Sequence, residues 1–148
     1  MKILVLHGPN LNLFGRREPH IYGTTTLAEI NERLSMLAGE LDVTLEIFQS
    51  NHEGELIDRL HLHIDDVQGA LLNPAGLTQH GVPLHDAIKA MPFPVLEIHM
   101  SNIAAREPWR SHSIISPAVK ATIQGLGWRS YTAGLRGLVE TLRDAQAT

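Results

Sequence analysis

Short apolar runs closed off by turn residues alternate along this chain with segments whose apolar positions recur every three or four residues. Residues 3–6, 43–48, 69–72, 94–98 and 119–123 are the apolar runs, and their length and flanking Gly, Pro and Asn predict five strands. Between them Leu27, Ile30, Leu34, Leu37 and Leu41 mark one helical stripe, and Leu56, Ile57, Leu60 and Ile64 mark another. Thr26 with Glu29, and Ser50 with Glu53, have the spacing of a capping box in front of these two helices. Residues 83–91 read as a helix that starts on Pro83, and Leu135, Leu138, Val139 and Leu142 stripe a final helix.

Strands that are apolar throughout, separated by helices, predict a parallel sheet covered on both faces. Five of them suggest a flavodoxin-like α/β fold with strand order 2-1-3-4-5. No internal repeat, low-complexity tract or linker interrupts the pattern, so residues 1–148 read as a single domain. In such sheets ligands bind beyond the carboxyl ends of the strands, where the winding reverses. The connection after the first strand, from His7 to Tyr22-Gly23, is far longer than the roughly 2–6 residues usual for a strand-to-helix loop, which marks it as functional. Asn73-Pro74-Ala75-Gly76-Leu77-Thr78-Gln79-His80 follows the third strand. His99-Met100-Ser101-Asn102, running on to Arg106, Trp109 and Arg110, follows the fourth.

Composition narrows the classes. The formal net charge is -4 with nine His counted neutral, which argues against nucleic acid or an anionic membrane surface as the main partner. It leaves room for a small anionic ligand, because local Arg placement decides that. There is no Cys, so neither a disulfide framework nor thiolate chemistry is available, in keeping with a cytoplasmic protein. The apolar start is too short for a secretion signal, and nothing approaches the ~20 apolar residues of a membrane span.

The chemistry is narrowed in the same way. There is no Walker loop, and Gly125-Leu126-Gly127 lacks the rest of a dinucleotide fingerprint. His7-Gly8-Pro9-Asn10 has few of the hydroxyls of a flavodoxin phosphate loop, and Asn73 stands where a response regulator needs Asp. The only lysines, Lys2, Lys89 and Lys120, fall away from the carboxyl ends of the strands, which disfavours imine chemistry. His61 and His63 point about 200° apart on a helix, so they do not form a metal pair. With His20 and His85 they read as structural or surface residues, while His52, at a helix start, is left open.

His99 differs, because Glu97 two residues earlier in the strand points to the same face and would fix its tautomer and favour its charged form. The proposed role of that pair is general acid. Arg17 near Tyr22 is the second constellation. A free phenol ionises only near pH 10, but a close, permanently charged guanidinium favours the phenolate, which is strong enough to take a proton next to a ketone. Arg16 reads as a solvated turn residue.

These residues sit within longer runs. Gly8-Pro9-Asn10-Leu11-Asn12, Gly15-Arg16-Arg17-Glu18-Pro19 with Tyr22-Gly23, Gln49-Ser50-Asn51-His52-Glu53-Gly54-Glu55, Asn73-Pro74, Glu97-Ile98-His99-Met100-Ser101-Asn102, Ala105-Arg106-Glu107 leading to Arg110, and Ile115-Ser116-Pro117 occur in order along nearly the whole chain. In these runs it resembles type II 3-dehydroquinate dehydratases. The resemblance implies a cofactor-free, metal-free anti dehydration through an enolate. Tyr22 would be the base, assisted by Arg17, and His99 the acid, oriented by Glu97, with a water held by Asn10 stabilising the enolate. Asn73, Met100, Ser101, Arg110 and the position held by Gln79 would bind the carboxylate and hydroxyls of the small anionic substrate 3-dehydroquinate. Asp86 would reach the site of a neighbouring subunit in a homo-oligomer, a dodecamer built from trimers. The pathway implied is aromatic amino acid biosynthesis or quinate breakdown. The chain departs from the family pattern at Gln79, where His is usual, at His7, where Asn is usual, and at Ala104, where His is usual. The Gln79 change motivates an alternative, a paralogue dehydrating a related hydroxy-keto acid, with His80 next door as a substitute for the missing His. A non-catalytic ligand-binding module on the same scaffold is a third reading.

Overall fold

A computed structural model describes residues 1–148. Five strands, β1 (Lys2–His7), β2 (Thr44–Gln49), β3 (Gly69–Asn73), β4 (Val95–His99) and β5 (Ala121–Gln124), form one parallel sheet in the order β2-β1-β3-β4-β5. This is the flavodoxin-like order expected from the sequence. In register, His7 lies opposite Gln49 on one side and Asn73 on the other. β1 and β3 therefore end level, and the connections after them leave in opposite directions from one point.

Alternation along the strands splits the core in two. Ile3, Val5, Leu71, Leu96 and Ile98 face a layer made by helices α2 (Leu27–Glu40) and α5 (Arg129–Ala147), with Leu34, Leu135, Leu138 and Val139 buried there. Leu4, Leu6, Ala70, Leu72 and Val95 face α3 (Glu53–Leu62) and α4 (Val82–Ala90), against Leu56, Leu60, Leu84 and Ile88. A short helix, α1 (Pro19–Tyr22), lies within the long first connection.

The capping box of Thr26 and Glu29 is present in both directions, 3.2 Å and 3.4 Å, and a cap of this kind contributes about 1 kcal/mol. The box expected at Ser50 and Glu53 is absent. The α3 N-cap is His52, without a side-chain cap bond. Ser50 Oγ instead accepts from the His52 backbone N–H at 2.9 Å and donates to the Glu55 carboxylate. Glu53 turns to α4, whose own N-cap, Gly81, has no side chain to offer, and accepts the Leu84 N–H at 3.3 Å. The first turn of α4 is thus held by its neighbour, a choice set by packing rather than by local spacing. β5 also starts later than the apolar run, because Ser116–Ala118 form a 3-10 turn and the backbone reaches β4 first where the Lys120 N–H donates to Val95 O at 2.9 Å.

The tightest approach at the carboxyl edge is at Gly8. Its N–H donates to Asn73 O at 2.8 Å, and a Cβ there would stand 2.8 Å from Pro74 O and 2.9 Å from Asn73 O. Both are backbone atoms with no freedom to swing aside. Gly8→Ala is therefore expected to destabilise the fold by about 1–3 kcal/mol, measured by denaturant unfolding; a variant as stable as the parent would show that the two loops are not in contact.

Candidate active site

β4 carries Glu97 and His99 to one face of the sheet. Glu97 is fully buried, and both carboxylate oxygens are occupied. Oε1 accepts from His99 Nε2 at 2.6 Å and from Ser113 Oγ at 2.8 Å. Oε2 accepts from Ser116 Oγ at 2.6 Å and from Thr122 Oγ1 at 3.4 Å. Burial alone would raise this carboxyl's pKa, but the bonds from His99 and Ser116, the imidazolium charge and the Ser113 bond outweigh it and hold it below the usual carboxylate range. With Nε2 engaged, Nδ1 is the His99 nitrogen left for the cleft that the ring lines.

Tyr22 stands in the same cleft, at the end of α1. Its ring packs against Phe14, with centroids 5.7 Å apart, and the turn before it is bent by Glu18 at φ 39 and closed by Gly23 at φ 78. Two guanidiniums flank the ring. Arg17 lies with Cζ 5.1 Å from its centroid and makes no hydrogen bond to the hydroxyl. Arg106 donates from Nη1 to Tyr22 Oη at 2.8 Å and also reaches Ser101 Oγ at 3.4 Å. The cation on the phenol oxygen is thus Arg106, where the sequence pointed to Arg17; Arg17 sits against the ring. The motif around Arg106 is visible in the sequence, but no spacing rule joins it to a residue 84 positions earlier.

Tyr22 and His99 line one cleft that opens to solvent. Asn73, Gln79, Met100, Ser101 and Arg110 complete its lining as expected. Gln79 donates from Nε2 to the Arg110 carbonyl at 3.0 Å, so its Oε1 is the end left free. Arg110 Nε lies 2.8 Å from Glu107 Oε2, in an ion contact too bent for a hydrogen bond. Arg17, Arg106 and Arg110 line the cleft and no Asp or Glu does, so its charge balance suits an anion. None of the three lysines lines it; Lys2 pairs with Asp66 at 2.8 Å.

Two expected residues lie elsewhere. Asn10 is exposed at φ 69, its N–H held by Asn51 Oδ1 at 2.9 Å. Asp86 is exposed on α4 and accepts from His85 Nδ1 at 3.0 Å. His80 is exposed and outside the cleft, so it does not stand in for Gln79. A feature the sequence did not suggest lies behind the cleft wall. His7 is fully buried, with Nε2 2.8 Å from Asn31 Oδ1 and Nδ1 3.1 Å from Tyr131 Oη.

The fold and the cleft together define a small flavodoxin-like enzyme with a phenol and a carboxylate-backed imidazole at the carboxyl ends of its strands. Comparison with known proteins makes this specific. Residues 1–139 match the family model described as dehydroquinase class II. A 3-dehydroquinate dehydratase from Desulforudis audaxviator is 52% identical over 140 residues, 95% of this chain and 93% of that protein. One from Leptothrix cholodnii is 47% identical over 148 residues, covering 99% of each. The crystal structure of type II dehydroquinase from Propionibacterium acnes superposes with a TM-score of 0.91 at 41% identity, covering 94% of this chain and 96% of that one. The chain belongs to the class II dehydroquinase family.

Burial pulls the His7 pKa down from 6.5 to about 4, against the raising effect of the Asn31 hydrogen bond. The unfolded chain therefore binds a proton that the folded chain refuses, and stability falls as pH drops from 6.5 towards 4. The loss across that window should be on the order of 3 kcal/mol. Denaturant midpoints taken at several pH values should show this slope in the parent and its loss in His7→Asn. An equal slope in both would remove His7 as its source.

Proposed function

We propose that this chain is a hydro-lyase that dehydrates 3-dehydroquinate to 3-dehydroshikimate. One observation carries the reading: a phenol bonded to a guanidinium faces the same cleft as an imidazole backed by a buried carboxylate, in a member of the dehydroquinase family. The substrate has a ketone, an adjacent carbon with acidic protons, and a hydroxyl one carbon further on. Tyr22, as phenolate, takes a proton from the adjacent carbon, and Arg106 and Arg17 stabilise the charge it carries beforehand. The C–H electrons move into the ketone to give an enolate. His99 gives its Nδ1 proton to the departing hydroxyl on the opposite face, while Glu97 stabilises the imidazolium. The enolate collapses to the conjugated enone as the C–O bond breaks and water leaves. One proton has then reached Tyr22 and one has left His99, so a single transfer through solvent resets the site.

Arg110, Asn73 and the backbone N–H groups of Met100 and Ser101 hold the substrate carboxylate and hydroxyls, and the free Oε1 of Gln79 accepts from a ring hydroxyl. The chemistry calls for no metal, organic cofactor or imine. Residues 1–148 act as one catalytic domain. An exposed Asp86 outside its own cleft is in keeping with a residue that completes a neighbour's site, in a dodecamer built from trimers. No helix is long and apolar enough to cross a membrane, and a cytoplasmic role in aromatic biosynthesis or quinate breakdown fits the family.

Purified protein mixed with 3-dehydroquinate should form the conjugated enone, followed by its ultraviolet absorbance. Tyr22→Phe should lower kcat by roughly 10²–10⁴-fold with ligand binding nearly intact, and substantial residual turnover would refute Tyr22 as base. His99→Ala should slow loss of the hydroxyl more than exchange of the acidic proton into deuterated water. Equal slowing of the two would count against His99 as the acid.

A further inference from the structure

Behind the cleft wall, four polar groups from four separate segments form one continuous chain of hydrogen bonds. Asn31 on α2, His7 at the end of β1, Tyr131 on α5 and Asn73 at the end of β3 are linked in that order. His7, Tyr131 and Asn73 are buried, with 0%, 0% and 4% of their surface exposed. Buried polar groups are retained where each is satisfied, and here donor and acceptor capacities leave one arrangement.

The Asn31 Oδ1 only accepts, so His7 carries its hydrogen on Nε2, 2.8 Å away. A neutral imidazole then has a bare Nδ1, so Tyr131 must donate its hydroxyl hydrogen to it across 3.1 Å. With that hydrogen committed, Tyr131 Oη offers only lone pairs, and Asn73 meets it with Nδ2–H at 2.9 Å. Asn73 Oδ1 in turn accepts the Ala75 N–H at 3.1 Å, where Ala75 sits at φ 51, a conformation that favours glycine. Turning the Asn73 amide over would set Oδ1 against the lone pairs of Tyr131 and Nδ2 against the Ala75 N–H. Both contacts would become repulsive, so the amide is locked from two sides. Asn73 lines the cleft, and its second Nδ2–H and one lone pair of Oδ1 are uncommitted.

We propose that His7 and Tyr131, which do not touch the cleft, are positioning residues that fix the orientation of the Asn73 amide, so that it keeps an Nδ2–H for the substrate. This rests on the reading of Asn73 as a substrate-binding residue. The Nδ2–H there donates to a carboxylate, carbonyl or hydroxyl oxygen. The run of bonds joins Asn31 to Asn73 through two aromatic side chains 124 residues apart in sequence, and the Ala75 backbone N–H anchors its direction.

Two measurements test the proposal. Nitrogen-15 NMR of the unmodified protein at neutral pH should show His7 with a protonated Nε2 and a bare Nδ1; the opposite tautomer would overturn the relay whatever any variant does. Kinetics with 3-dehydroquinate then separate positioning from mere support of the fold. Tyr131→Phe should raise KM roughly three- to tenfold with kcat within about twofold, the loss expected for one oriented hydrogen bond. Asn73→Ala should raise KM at least as much, and the double variant no further than Asn73→Ala alone. A structural role would instead reduce the active fraction, and with it apparent kcat, at unchanged KM. A raised KM in Asn73→Ala with none in Tyr131→Phe, or additive effects in the double variant, would overturn the positioning role alone. An unchanged KM in Asn73→Ala would overturn the substrate-binding reading of Asn73, and the proposal with it.

Discussion

The buried carboxylate of Glu97 is the constraint around which the carboxyl side of this sheet is organised. An ionised carboxylate inside a parallel sheet is tolerated only if its oxygens are fully engaged, and breaking such an arrangement costs several kcal/mol. Glu97 draws its partners from three places: His99 on its own strand, Ser113 and Ser116 from the segment after β4, and Thr122 from β5. Satisfying it therefore folds the 111–118 segment back beneath the cleft and holds the edge strand in place. Ser113 completes the arrangement by accepting the N–H groups of Ile115 and Ser116 at 3.1 Å and 3.0 Å. The outcome for function is a histidine held by one nitrogen and presented by the other.

The opposite wall works by a different principle. Tyr22 belongs to a four-residue helix that has no core of its own and leans on Phe14, Arg17 and Arg106. Tyr22 is thus placed on the long first connection and His99 on a strand inside the sheet. Both face a cleft whose charged lining side chains, the histidine aside, are guanidiniums, so its charge suits an anionic ligand.

Much of this was legible beforehand, for local reasons. The alternation of apolar runs and helical stripes specified five strands, their parallel sense and the place of the site. The two-residue spacing of Glu97 and His99 put them on one face, since strand geometry leaves no other choice. Thr26 and Glu29 cap their helix because the interaction closes within one turn. The same logic failed at Ser50 and Glu53, where a cap-less glycine on the next helix offered Glu53 a partner that no local rule contains. The recognition of the family came from many short runs in order, and it carried the roles of Tyr22, His99 and Arg17 further than any single spacing does.

The sequence by itself determined the elements, the sheet order at the switch point and the pairing of His99 with Glu97. These follow from periods of two and 3.6 residues, which act over a few positions. Tertiary structure alone decided that Arg106 bonds the Tyr22 hydroxyl, that Gln79 turns its nitrogen to the Arg110 carbonyl, and that His7 meets Tyr131 behind Asn73. Such pairings join residues dozens of positions apart. They depend on how the two helical layers close over the sheet and on which buried donors and acceptors remain to be satisfied once they have.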